Sequence, residues 1–380
     1  MRYYLIAGEA SGDLHASYLI HALKKADSSA VFRGWGGDMM EQEGMQLDQH
    51  YRDVAFMGFY EVLVNVQKIV GNFKRCKQQI QSFKPDALIL IDYPGFNLRM
   101  ADFGSKQPFK VFYYIAPKAW AWKSSRAKKL SRTVDVLFSI LPFEPAFFQK
   151  YDINVHYVGN PLLDELQLSV DEKERDAFLR EESLPAEPVI ALFPGSRKQE
   201  IDLILPEMLE AVKKYPGYQI VIGGAPGFSA GFYDRYLQEF PAKVVFNRGQ
   251  QLMKFSKAAL ITSGTATLEA ALLNLPQVIC YKGNPVSVFI AKMLVKIKFI
   301  GLANLIMDES IIPELIQENM TVDNMQAELD KMLFDEQRRA KLFKDYSRLK
   351  KRMGGSGASE KAAGLITAGL SKKEDIQAKK

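Results

Sequence analysis

Arg2-Tyr3-Tyr4-Leu5-Ile6-Ala7, followed at once by Gly8-Glu9-Ala10-Ser11-Gly12-Asp13, is a short apolar run that breaks at a glycine and passes into helix-starting residues. The run is too short for the hydrophobic core of a leader peptide and reads as a buried first strand. Gly8 and Gly12 permit a tight turn, and Ser11 or Asp13 can cap the helix that follows. The same pattern recurs at Ala87–Ile91, Lys110–Ile115, Val136–Ile140 and Val155–Val158, with helical stretches such as Leu14–Ala26 and Tyr60–Phe83 between. Strands alternating with helices predict a doubly wound, mostly parallel sheet.

Asn160-Pro161, the charged segment Asp171 to Glu182, and Pro185 and Pro188 interrupt the alternation. It resumes at Val189–Phe193, Gln219–Ile222, Lys243–Phe246, Ala259–Ile261 and Gln277–Tyr281. The expectation is therefore α/β: a Rossmann-like domain over residues 1–165, a second over 185–335, and helices with a flexible basic tail over 336–380. Two such sheets facing across a cleft would place ligands at the carboxyl ends of their strands.

The chain's 380 residues exceed one ordinary core, and 47% hydrophobic with 25% charged residues excludes gross disorder. Fifty Lys plus Arg against 44 Asp plus Glu leave +6, a mild surplus. Cys76 and Cys280 lie far apart without metal-ligand or disulfide spacing, which points to a reducing cytoplasm. No run of about eighteen apolar residues predicts a membrane-spanning helix, so any membrane role is exercised from one side.

The residues that follow the strands carry the chemistry. After the first strand, Glu9, Ser11 and Asp13 lie in reach of a cleft, although the loop reads equally as a well-capped turn. Asp92-Tyr93-Pro94-Gly95-Phe96-Asn97 puts a carboxylate at the end of a buried strand, where desolvation raises its proton affinity toward that of a general base. A capping Asp is the alternative. In the second half, Pro194-Gly195-Ser196-Arg197 offers exposed backbone, a hydroxyl and a planar donor fork for phosphate oxygens. Thr262-Ser263-Gly264-Thr265 opens a helix whose free N–H groups would face an anion, and Glu269 one turn later can accept both hydroxyls of a ribose. No GK[ST] follows, so this is not an NTPase P-loop. Together the two loops point to a nucleoside diphosphate.

Lys118-Ala119-Trp120-Ala121-Trp122-Lys123, continued by Arg126, Lys128, Lys129 and Arg132, holds six positive charges and no acid. It accompanies no nucleic-acid signature and fits a phosphate-bearing or anionic membrane ligand. Val62, Leu63, Val66, Ile69, Val70 and Phe73 recur at helical spacing, either as core or as a membrane-facing stripe. Val286 to Ile300 is nearly all apolar, with Lys292, Lys296 and Lys298 interspersed, which favours a surface.

Gly8 to Asp13, Asp92 to Asn97, Pro117 to Trp122, Leu192 to Arg197, Ser263 to Glu269 and Gly301-Leu302-Ala303-Asn304-Leu305, in that order, resemble the lipid-A-disaccharide synthase family. The resemblance runs from Tyr4 to about Asn319. It implies a GT-B glycosyltransferase that takes 2,3-diacylglucosamine from its UDP donor to 2,3-diacylglucosamine 1-phosphate, giving a β-1,6-linked disaccharide phosphate and UDP, without metal or cofactor. It also implies a peripheral position on the cytoplasmic face of an anionic inner membrane, and a homodimer. Carried over by position, Asp92 is the catalytic base, with Glu9 and Asp13 beside it. Gly195, Ser196, Arg197, Ser263, Gly264, Thr265, Glu269 and Asn304 would bind the UDP donor. Lys118, Lys123 and Arg126 would bind the acceptor phosphate, and Val62, Val66, Ile69, Val70 and Phe73 would meet the membrane. The chain departs from the family pattern at Gly95, where many members have a second acid, and at Ala116 and Lys118, where small hydroxylated residues are expected. A different GT-B enzyme acting on UDP-N-acetylglucosamine, an epimerase or a peptidoglycan glucosaminyltransferase, is the rival.

Overall fold

A computed structural model describes residues 1–54, 66–122, 125–166, 171–238, 240–284 and 298–377. They form two compact units, Met1–Asp164 with Gly355–Lys380, and Glu165–Gly354.

The first unit holds a seven-stranded sheet in the order β3-β2-β1-β4-β5-β6-β7. Its strands are β1 (Arg2–Ala7), β2 (Val31–Gly36), β3 (Gln46–His50), β4 (Ala87–Ile91), β5 (Lys110–Tyr114), β6 (Val136–Ser139) and β7 (Val155–Tyr157). Every adjacent pair is parallel. Side chains alternate across the sheet, as a pleated strand requires. Tyr3, Leu5 and Ala7 pack toward the helix Ala10–Ala26 on one face. Tyr4 and Ile6 pack on the other, with Ile80 of the helix Val66–Phe83 and Leu130 of the helix Ser125–Thr133.

The second unit holds a six-stranded sheet, β10-β9-β8-β11-β12-β13. Its strands are β8 (Val189–Phe193), β9 (Gln219–Gly224), β10 (Ala242–Phe246), β11 (Ser256–Thr262), β12 (Gln277–Tyr281) and β13 (Glu314–Ile316), again all parallel.

The chain order reverses between β1 and β4 in one sheet and between β8 and β11 in the other. Such switch points are where open α/β sheets leave a crevice for ligands.

The C-terminal region departs from the expected single piece over 336–380. The helix Glu336–Met353 belongs to the second unit, and the helix Ala358–Gln377 returns to the first. There Ala362, Ala363, Ile366 and Leu370 are buried in the core shared with the helix Ala10–Ala26. Asp164 caps this last helix, accepting from the backbone N–H groups of Gly357 at 2.6 Å and Ser359 at 3.1 Å. Burying Ile366 and Leu370 stabilises the docked helix by about 1.5–3 kcal/mol each, and the region expected to hold a flexible tail is helical as far as Gln377, with residues 378–380 outside the described residues.

Candidate active site

At the switch point of the first sheet, the turn after β4 is built around Asp92 and Tyr93, both left-handed with φ of 41° and 46°. Two such residues in succession cost energy unless the surroundings hold them. Asn97 and Tyr113 supply that hold. The fully buried Asn97 amide donates to the carbonyls of Ile6 (3.2 Å), Ile91 (3.0 Å) and Asp92 (2.9 Å). The Tyr113 hydroxyl donates to the Asp92 carbonyl at 2.6 Å, and the Asp92 N–H donates to the Tyr114 carbonyl at 3.0 Å. Pro94 then starts the helix Pro94–Gly104 at a position where no N–H is needed. Gly8 completes the junction: a Cβ there would lie 2.3 Å from the Tyr93 ring, so only glycine lets that ring close over the end of β1.

With its backbone fixed, Asp92 leaves its carboxyl half-buried at the carboxyl edge of the sheet. Burial, reinforced by the nearby Glu9 carboxylate, pushes it up to about 6, against the pull of Lys118, His15 and the Tyr93 N–H. Glu9 and the exposed Lys118 thus stand near Asp92, and Arg126 stands near enough for its charge to act on Tyr113. Lys123 lies outside the described residues.

Asp13 does different work. It is buried, and its two oxygens accept from the backbone N–H groups of Gly37 (2.8 Å), Met39 (3.1 Å) and Met40 (3.1 Å). It caps the helix Asp38–Gln42 and ties it to the helix Ala10–Ala26, so the expected share in base chemistry gives way to a scaffold role.

In the second unit, the loops expected to bind the diphosphate follow β8 and β11, which are hydrogen-bonded neighbours at that sheet's switch point. Gly195 has φ of 115°, and a Cβ there would lie 2.7 Å from Glu200 Oε2. Glu200 organises this loop. It accepts from the Ser196 N–H at 3.2 Å and from Arg197 Nη1 at 3.0 Å. Arg197 remains 76% exposed, and its guanidinium carries N–H donors beyond the one given to Glu200 that can meet an anion.

Gly264 and Thr265 are exposed at the start of the helix Thr265–Leu272, while Ser263 donates to the Ile300 carbonyl at 3.1 Å. Glu269 lies half-buried on this helix. Burial pushes its carboxyl up to about 7, with Glu165 adding to the rise and a hydrogen bond from Gln250 opposing it.

Asn304 is completely buried and internally employed. Its amide donates to the Ile312 carbonyl and Glu314 Oε1, both at 2.8 Å, and its oxygen accepts from the N–H groups of Ile311 (3.0 Å) and Ile312 (2.9 Å). It stitches the helix Leu302–Met307 to β13, and the donor contact expected of it finds no free atom.

Of the expected membrane stripe, Val62 and the Val66 side chain lie outside the described residues, as does the apolar stretch 285–297. Val70 is 60% exposed and Ile69 is half-buried. Phe73 instead stacks on Phe96 at 4.4 Å and packs against the core, which removes it from the stripe. Among the described residues, no helix is long and apolar enough to cross a membrane, and no three His, Cys, Asp or Glu side chains are grouped to hold a metal ion.

Two parallel Rossmann-like sheets, each with its candidate residues at the switch point, define the GT-B fold. Solved structures share it: the S. aureus MnaA-UDP co-structure superposes with a TM-score of 0.67 over 97% of both chains at 14% identity. A UDP-GlcNAc 2-epimerase from Methanocaldococcus jannaschii, in complex with UDP-GlcNAc and UDP, gives 0.63 at 15% identity over 97% of this chain and 100% of its own. Likeness at that identity is one of fold. Sequence goes further. The family model for lipid-A-disaccharide synthetase matches residues 3–368. The lipid-A-disaccharide synthase of Trichlorobacter lovleyi is 36% identical over 371 residues, 96% of each chain, and that of Syntrophus aciditrophicus is 37% identical over 380 residues, 98% of each. The chain belongs to the lipid-A-disaccharide synthase family, and is a hexosyltransferase of lipid A biosynthesis.

Proposed function

We propose that the chain transfers 2,3-diacylglucosamine from UDP-2,3-diacylglucosamine to the 6-hydroxyl of 2,3-diacylglucosamine 1-phosphate, with inversion at the anomeric carbon. The observation that carries this reading is the Asp92 carboxyl, held by a strained and fully braced turn, raised to about 6 and flanked by Lys118. A carboxylate tuned toward neutral pH is suited to take a hydroxyl proton.

In a single displacement the acceptor oxygen bonds to the anomeric carbon as the bond from that carbon to the UDP oxygen breaks. The acceptor proton passes to Asp92, and the electron pair of the broken bond leaves on UDP. Arg197 and the N–H groups from Ser263 to Thr265 meet the charge gathering on the diphosphate, which is greater in the transition state than in the bound donor. Glu269 accepts the ribose hydroxyls. Lys118 and Arg126 attract the acceptor phosphate toward Asp92. Acylated substrates reside in a bilayer, so the protein would work as a peripheral enzyme at the cytoplasmic surface of the inner membrane, with exposed Val70 on the side that meets it.

The test is UDP release by purified protein in detergent micelles with UDP-2,3-diacylglucosamine, with and without 2,3-diacylglucosamine 1-phosphate, in the presence of a chelator. Release that requires the acceptor and survives the chelator is expected. Absent release, or release indifferent to the acceptor, overturns the reading.

A further inference from the structure

Glu144 opens the helix Glu144–Phe148 just after β6, and its side chain is 1% exposed. Three N–H groups converge on it. The Trp120 indole donates to Oε1 at 3.0 Å, and the backbone N–H groups of Ile140 and Leu141 donate to Oε2 at 3.1 and 3.0 Å. The Trp120 ring also stands edge-on to Phe143 at 4.9 Å. A carboxylate is the side chain that suits this place, because both of its oxygens accept. Glutamine would present one acceptor and turn its NH2 group onto N–H donors, leaving at least one buried donor unpaired.

What Glu144 joins is as informative as how it is held. Ile140 and Leu141 follow β6, and Trp120 belongs to the segment that follows β5. Both strands lie beyond β4 on the same side of the sheet's switch point, with β5 hydrogen-bonded directly to β4. Lys118 lies two residues before Trp120, within a tight turn in which the Ala119 N–H donates to the Pro117 carbonyl at 2.5 Å. Its charge acts on Asp92 and on Glu144 alike. Anchoring Trp120 therefore fixes the backbone from which Lys118 projects.

We propose that Glu144 is a positioning residue for the transferase: by clamping Trp120 to the turn after β6, it fixes the reach of Lys118 toward the anionic group of the acceptor. This rests on the reading of Lys118 given above. Burial supports the clamp with a titration of its own, pushing the Glu144 carboxyl up to about 7 against the three N–H donors and Lys118. Tyr157 of β7 is another titratable group within its electrostatic reach, raised to about 12 chiefly by its own burial. Below about pH 7 Glu144 is neutral, one oxygen becomes a donor, and the clamp loosens.

The experiment compares full-length wild type with Glu144→Gln, Trp120→Phe and the double variant, using two readouts. In the free protein, the indole emission that Trp120→Phe removes is expected to shift between pH 6 and 8 in wild type and to stay flat in Glu144→Gln. In the transferase assay, each single variant is expected to raise the acceptor KM about tenfold, with the donor KM within about twofold of wild type. The double variant is expected to be no worse than either single one, because both remove the same link. Trp120→Phe keeps the ring packing, so the test stands even if Glu144→Gln folds poorly. An absent indole transition, an unchanged acceptor KM in Trp120→Phe, or a fall in kcat alone with both KM values unchanged would overturn the proposal. Wild-type protein without acceptor-dependent turnover would instead overturn the transferase reading, and with it the role of Lys118, while the indole titration would still decide whether the clamp exists.

Discussion

In an Asp92→Asn protein the turn after β4 keeps its backbone, because Asn tolerates the left-handed conformation at φ 41° and the braces from Asn97 and Tyr113 act on main-chain carbonyls. What changes is the ionisable group, and the consequences for activity and stability have opposite signs. A folded-state value of about 6 against 3.8 for the unfolded chain means that the native protein binds this proton more tightly than the unfolded one. The native state bears no penalty below about pH 3.8. The penalty grows as pH rises through the folded value and levels off above it, at on the order of 3 kcal/mol for two pH units. Asn carries no such penalty, so the variant is expected to be the more stable protein at pH 8 and to lose that advantage toward pH 4. Urea melts at the two pH values measure this. Activity should move the other way. In wild type, kcat/KM for the acceptor at saturating donor should climb with an apparent midpoint near 6. The variant should fall by about 10²–10⁴, the usual contribution of a general base, and lose the ascending limb. UDP affinity should be unchanged. A variant within about tenfold of wild type, or one that keeps the limb near pH 6, would show that another group takes the proton. A variant less stable than wild type at pH 8 would show that the carboxylate is not under electrostatic strain.

Two predictions concern the second unit. Arg197→Ala should weaken UDP binding about ten- to a hundredfold, as expected for losing a charge-assisted contact, with the acceptor KM unaltered; titration calorimetry with UDP reads this, and an unchanged affinity removes Arg197 from the diphosphate site. Burial pushes the Glu269 carboxyl up to about 7, so below that pH it is expected to be neutral and a poorer acceptor for ribose hydroxyls. Uridine, which has no phosphate of its own to titrate, should therefore bind more weakly as pH falls from 8 to 6, and Glu269→Gln should flatten the dependence. A flat wild-type profile would refute the ribose contact.

Most strands legible in the sequence are buried on both faces, although the partly buried edge strands β7 and β10 are legible too. β1, β4, β8 and β12 read as unbroken apolar runs because helices cover both sides of their sheets. β2 was hidden by Arg33 and by its two glycines, and the edge strand β3, Gln46-Leu47-Asp48-Gln49-His50, has only one apolar residue to betray it. Its Asp48 pairs with Arg33 at 2.6 Å and accepts from the Tyr4 hydroxyl at 2.8 Å, so the polar residues that disguise these strands also join them. The return of the C-terminal helix to the first unit escaped for a related reason. Two of its buried residues, Ala362 and Ala363, are small, and its cap comes from Asp164, nearly two hundred residues away in the chain.

The candidate site was legible as a set of positions but not as a set of duties. Asp13, Asp92, Asn97 and Asn304 all look alike in the sequence: polar side chains within three residues of a glycine. What separates them is how many of their polar atoms the protein itself consumes. Asp13 accepts from three backbone N–H groups far along the chain, and Asn304 exhausts both its donors and its acceptor on residues 311–314. Both are spent on architecture. At Asp92 the division runs through a single residue, since its backbone carbonyl and N–H are fully engaged while its carboxyl is left to face a carboxylate and two basic side chains. That arrangement fixes the position of the group while leaving its proton exchangeable, which is what a base needs and a scaffold does not. The same accounting explains why Glu144 could be missed. A glutamate ahead of a proline reads as an ordinary helix start; the three donors that fill it show that its carboxylate is structural in its bonds, and its proposed function lies in what those bonds hold still.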